Sequence, residues 1–248
     1  MKTLSSVAAL LLLFVTPPAL AAEPNLPAPL KLRYALTYGG VTTGQVTLTL
    51  KRESDGSYKR VSHSRPEGMA RMFTTVEWVD ESHFDIVQGQ VRPRTYVEYR
   101  VGAERSHKQS ASFDWKAGLV RYQFGNSTAS LPVGAQDQGS LLFAWMLQPP
   151  AAGPERTLHL SSGKKLKEVR YSRVGSEKLK TVYGLLNTIV LERRPAPGDK
   201  DPEAFRVWLA SDHHNLPIRM TTEKRGQDTA LILESASGIP GLGTRPSP

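Results

Sequence analysis

Cysteine is absent from the 248-residue chain. Disulfides, thiolate nucleophiles and cysteine-ligated metals are therefore excluded, as is the lipid anchor that bacterial lipoproteins carry on an N-terminal cysteine. Negative charge is scarce: 23 Asp and Glu stand against 32 Lys and Arg, leaving a net +9 and a pI near 9.8. Past the N-terminal stretch, no apolar run approaches the roughly 20 residues of a membrane-spanning helix. Catalytic signatures are missing as well. There is no Gly-x-Ser-x-Gly elbow and no His-Glu-x-x-His pair. The histidines, His63, His83, His107, His159, His213 and His214, show no metal-binding spacing.

What is present begins with the plan of an export signal. Lys2 supplies a positive start, Val7 to Val15 an apolar run, Pro17 and Pro18 a break, and Ala19-Leu20-Ala21 a small-x-small cleavage site. The pattern predicts cleavage after about Ala21 and a periplasmic protein of 248 − 21 = 227 residues. An uncleaved anchor is the competing reading, disfavoured because the run is short and the cleavage site follows directly. The expected organisation is a signal at 1–21, a flexible lead-in at 22–30, one β-rich domain at 31–237 and a disordered Gly/Pro-rich tail at 238–248. Outside the cytoplasm the positive charge has no nucleic acid to meet. Its partner is either an anionic envelope surface or, where lysines simply solvate the chain, none.

The dominant period in the domain is two. Leu32, Tyr34 and Leu36 alternate with polar residues, as do Val46, Leu48 and Leu50 across the Gly39-Gly40 turn. Tyr58–Ser64, Thr74–Asp80, His83–Val87, Arg94–Val101, Lys108–Trp115 and a run through Val120 and Tyr122 follow with connections too short for crossover helices. Asp137–Leu147 breaks the pattern. Leu141, Leu142, Trp145 and Met146 fall on one helical face, with Asp137 as cap and Pro149-Pro150 as stop. Gly68–Phe73 predicts another helical turn. Strands resume after Pro154, and Pro195–Pro202 forms a polar loop. The fold class is all-β: a curved antiparallel sheet or half-barrel with one main helix on its concave side.

Tyr34-x-Leu36-x-Tyr38-Gly39-Gly40, Gly44, Gly68–Phe73, Phe113-Asp114-Trp115, Gln136-Asp137 ahead of Ser140-Leu141-Leu142, Val207–Ala210 with Asp212, and Leu216–Arg219 occur in one order and spacing. This order resembles the domain of unknown function 3108 family of exported bacterial proteins. The resemblance covers nearly all of the mature chain and implies an exported β-rich domain without an assigned activity. At the level of architecture the chain is also similar to the periplasmic lipoprotein carriers, whose curved sheet cups a helix over an apolar cavity; fold alone does not imply function.

Polar constellations read as structural. Ser161-x-x-Lys164 and Ser162-x-x-Lys165 match Ser-x-x-Lys, but they sit at a strand turn without partner motifs. Asp212-His213-His214 reads as a polar turn. Glu77 and Glu81 share one strand face and Asp80 the other, which does not make a glycosidase pair. Lys164, Lys165, Lys167 and Arg170 read as a hairpin tip. No catalytic residue, metal or cofactor is assigned, and the chain is read as a non-enzyme. The candidate ligand-binding residues are Met69, Met72 and Phe73, as a methionine-rich rim, and Leu142, Trp145 and Met146 on a helix apolar around its circumference. Three classes stay open. A binding protein for a lipid or acyl chain predicts an apolar cavity and an exposed Met69–Phe73 rim. An envelope interaction or assembly factor predicts a filled core and a surface patch. A hydrolase predicts polar groups converging in a cleft.

Overall fold

The structure is a computed structural model and describes residues 25–103, 108–194, 203–224 and 226–243. The predicted signal, His107 and the Pro195–Pro202 loop lie outside the described residues.

Alternating apolar residues give β1 (Leu30–Tyr38), β2 (Val41–Arg52), β3 (Tyr58–Pro66), β4 (Glu77–Val87), β5 (Gln90–Val101), β6 (Lys108–Asp114), β7 (Leu119–Tyr122) and β8 (Ser127–Ser130). After β9 (Gln136–Asp137) and α1 (Leu141–Leu147) come β10 (Arg156–Ser161), β11 (Leu166–Thr181), β12 (Gly184–Arg194), β13 (Glu203–Ala210), β14 (Leu216–Lys224) and β15 (Gln227–Ser237). Among the described residues 15 strands join one sheet in the order β8-β7-β6-β5-β4-β3-β2-β1-β15-β14-β13-β12-β11-β10-β9. Two antiparallel meanders are thus welded through the β1–β15 pair, and β9 pairs parallel to β10. The β1–β2 hairpin turns on two residues, Gly39 and Gly40, at φ +56° and +82°. Two consecutive positive φ values match the twist of the flanking strands and suit glycine.

One face of this curved sheet is dry. Leu32, Tyr34, Leu50, Phe84, Leu191, Val207 and Leu209 are fully buried. The Tyr34 hydroxyl donates to the Pro217 carbonyl at 2.8 Å, which satisfies the phenol inside the core. Helix α1 lies on this concave side and touches both meanders. Phe143 stacks on Phe84 at 5.6 Å between centroids, and Phe84 stacks on Tyr58 at 5.6 Å. Trp145 packs against Tyr171 at 5.8 Å and Phe205 at 6.4 Å. Asn215 donates to the Met146 carbonyl at 3.0 Å, serving an acceptor that a helix end leaves open. A second, smaller cluster of Tyr96, Ala111, Phe113, Val120 and Tyr122 fills the β5–β7 side.

Several elements differ from the sequence reading. The helix begins at Leu141, with Ser140 in the cap position, while Asp137 belongs to β9. Thr74–Asp80 and His83–Val87 are not two strands; Glu77–Val87 runs as one. Leu26 and Leu242, from the segments read as lead-in and tail, are buried in the main core, because each adds apolar surface that the sheet alone leaves uncovered.

Candidate functional site

The half-barrel has two unlike ends. Helix α1 packs beside Tyr58 and Phe84. The 3-10 turn Gly68–Met72 connects β3 to β4 at the opposite end. Phe84 lies 84 − 77 = 7 residues along β4 from Glu77, a rise of roughly 23 Å at ~3.3 Å per residue. The turn is anchored by the Glu67 amide on the Thr43 carbonyl at 2.9 Å, and it buries none of its side chains.

The six residues predicted to bind ligand therefore form two groups that do not meet. Met69, Met72 and Phe73 are 74%, 81% and 85% exposed at the open end. Trp145 and Met146 are buried in the main core, and Leu142 is half-buried against it. The strand ends that carry the turn add more apolar surface, since Gly44 faces Pro66 and Glu77 faces Val101 in the ladders. Val41, Trp78 and Val101 are also exposed there, and the Arg100 guanidinium sits 4.0 Å from the Trp78 ring centroid. The open end is thus an apolar lip with cationic flanks, Arg71 lying in the last turn.

Between lip and helix, the concave face of β3 and β4 carries a buried polar set. Alternation puts Arg60 and Ser62 on the face of Tyr58, and Asp80 and Ser82 on the face of Phe84. Arg60, almost wholly buried, pairs with Asp80. Ser82 donates to the Asp137 carboxylate at 2.8 Å. Asp137 also accepts from the amides of Gly139 and Ser140 at 2.7 and 2.8 Å. Ser140 donates to Gln136 at 2.8 Å, and Gln136 donates to the Val91 carbonyl at 2.8 Å. Burial pushes the Asp137 carboxyl up to about 6; its hydrogen bonds and the Arg60 charge pull the other way. Burial also raises the phenols of Tyr34 and Tyr96 and lowers the Arg60 guanidinium.

Chemically this is a pin. Most of its donors and acceptors meet one another, the Arg60 Nε alone of the set being buried without a hydrogen-bond partner, and among the described residues no histidine bonds Ser82 or Asp137. Sequence reasoning missed the Arg60–Asp80–Ser82–Asp137 set. The only available signal was the intrusion of Arg60 and Ser62 into the apolar phase of Tyr58. The carboxylates weighed as a glycosidase pair lie as expected: Glu77 binds His63 and Glu81 binds Lys59 at 2.9 Å on the outer face, while Asp80 points inward. Asp212, His213 and His214 form a turn, with His214 at φ +54°. Among the described residues no cluster of three or more His, Asp or Glu is placed to hold a metal, and no helix is long and apolar enough to cross a membrane.

A family model of proteins of unknown function, DUF3108, matches residues 33–229. The chain belongs to the DUF3108 family. No curated protein matches it in sequence. Among solved structures, the β-barrel-like DUF1849 protein from Brucella abortus superposes with a TM-score of 0.56 at 10% identity, covering 85% of this chain and 97% of that one. This likeness is one of fold. The Mycobacterium tuberculosis lipoprotein LppX overlaps more loosely, with a TM-score of 0.27 at 10% identity, over 87% of this chain and 88% of its own. For this DUF3108 member the family adds no chemistry, so function has to be argued from the geometry above.

Proposed function

We infer that this DUF3108 protein is an exported, non-enzymatic envelope protein that binds an apolar molecule, a lipid or acyl chain, at the open end of its half-barrel. The observation that carries the reading is the placement of Met69, Met72 and Phe73 on one turn, all largely exposed. Contiguous large apolar side chains in water cost solvation free energy unless something covers them. Methionine adapts to varied apolar shapes, which suits a ligand without fixed geometry. The Arg100–Trp78 and Arg71 flanks place positive charge beside the lip, where an anionic headgroup would lie. Support for export comes from the signal-like N-terminus.

A second reading, an interaction factor that docks a protein through the same lip, is favoured by the filled interior around α1. Trp145 and Met146 are enclosed by Tyr171, Phe205 and their neighbours, so an acyl chain does not reach the helix without repacking.

Native mass spectrometry of the protein released gently from its host envelope, followed by organic extraction, separates the two. A stoichiometric lipid, lost when Met69, Met72 and Phe73 are all replaced by serine, supports the binding reading. A clean apo mass that total envelope lipid does not change counts against it and leaves a protein partner.

A further inference from the structure

On the outer face of the sheet, strands β13, β14 and β15 floor an open groove of about 680 Å³, within the ~300–1,000 Å³ range of small-ligand sites. Its floor is a period-two row that includes Arg206, Trp208, Arg219, Thr221, Glu223 and Asp228. The intervening Val207, Ile218 and Met220 belong to the buried core, so the row lies on the opposite face of the strands, with Trp208 buried at its base. The groove shares no lining residue with the Met69–Phe73 turn, and the lipid reading does not use it.

Most of its charges cancel locally. Glu192 accepts from Arg206 at 3.1 Å and from Arg194 at 2.6 Å. Arg219 is different. Its guanidinium rests 5.1 Å from the Trp208 ring centroid, and its Nε is buried without a hydrogen-bond partner. Among the described residues it forms no ion pair. Four positions along the same strand and face, Glu223 stands directly opposite Asp228 in the β14–β15 ladder. Neither carboxylate has an ion-pair partner among the described residues, and like charges directly opposed weaken a ladder. The spacing from Arg219 to this acidic pair is roughly 13 Å at ~3.3 Å per residue. One groove thus holds an uncompensated cation at one end and two uncompensated carboxylates at the other.

We propose that this groove binds a short extended peptide with free ends, about four residues long. Its terminal carboxylate lies on Arg219 and its terminal ammonium between Glu223 and Asp228. Four extended residues span roughly 13–14 Å, which matches the spacing. A guanidinium gives a carboxylate paired, directed donors, and an acceptor for the buried Nε removes the penalty of leaving that donor unmet. Thr221, midway, presents a hydroxyl to the peptide backbone. The open side of the groove leaves ligand side chains in solvent, so ends and length are recognised in preference to sequence.

The test is titration of the full chain with tetra-alanine, followed calorimetrically and by amide chemical shifts. The expected result is saturable binding by tetra-alanine, weakened at least tenfold by C-terminal amidation, by N-acetylation, and by shortening to dialanine. Arg219→Gln abolishes the sensitivity to amidation, and Glu223→Gln with Asp228→Asn abolishes the sensitivity to acetylation. Absence of saturable binding, or an affinity that neither blocking group changes, overturns the proposal. The blocked peptides are compared on the unaltered protein, so a misfolded variant cannot mimic either outcome.

Discussion

Ser82 and Asp137, 55 residues apart in sequence, share a buried hydrogen bond of 2.8 Å. It ties β4, in the first meander, to the short β9 that pairs with the second. The carboxyl it engages is held near 6, raised chiefly by burial from the 3.8 of an exposed aspartate.

The pH dependence of stability follows from that shift. Between about pH 4 and 6 the folded protein keeps a proton on Asp137 that the unfolded chain has released. This contribution to stability is therefore full below about pH 4, falls as pH rises to 6, and is level above. A shift of about two units corresponds to on the order of 3 kcal/mol. Asp137→Asn removes the slope, as chemical denaturation at stepped pH will read. A variant with the same slope as the parent would assign it to another group.

Asp137→Ala has a different outcome. It leaves the Ser82 hydroxyl and the Gly139 and Ser140 amides without their acceptor, and it removes a countercharge from buried Arg60. The expected loss is about 3–5 kcal/mol at neutral pH, seen as a lower denaturation midpoint.

Gly139 is the tightest point of the same turn. A Cβ there would stand 2.7 Å from the Ser82 Cβ and 3.1 Å from the Arg60 Nη1. Gly139→Ala forces the pin apart and is expected to cost about 1–3 kcal/mol. Gly118→Ala, where nothing lies within 4 Å, is the control. It carries only the strain of its positive φ.

Phe143 joins the helix to the first meander through Phe84. Phe143→Ala opens a cavity in the main core and is expected to cost about 3–5 kcal/mol. Replacing Met69, Met72 and Phe73 together by serine is expected to change stability by less than about 1 kcal/mol, because exposed side chains contribute little to folding. The same variant is expected to abolish association with vesicles of envelope lipid in a flotation assay. Undiminished flotation would move the apolar contact away from the lip.

Alternation made most of the fold readable. Leu32, Tyr34, Leu48 and Leu50 announce their face directly, and the Gly39-Gly40 turn with a bulge between Leu36 and Thr37 sets the register between them. The helix was readable from Leu141 to Met146, but its start was not. Asp137 looks like a cap in sequence and is a strand residue in space, because it pairs with Ser161 on the distant β10. Burial of Arg60 was hidden for the same reason. Its charge is tolerable only because Asp80 and Asp137 converge on it, and no local pattern encodes that meeting. The groove over Trp208 depends on outer-face residues of three neighbouring strands, brought together by the β13–β14 and β14–β15 ladders. The apolar lip was legible because its residues are adjacent in the chain.

The sheet is long, but it is open, and its two outermost members are β8 and β9, of four and two residues. A strand this short offers few free amides and carbonyls to an incoming chain. β8, Ser-Thr-Ala-Ser, also gives an intruder no greasy side chains to zip against. At these two ends of the sheet a second copy of the protein therefore finds little backbone on which to polymerise.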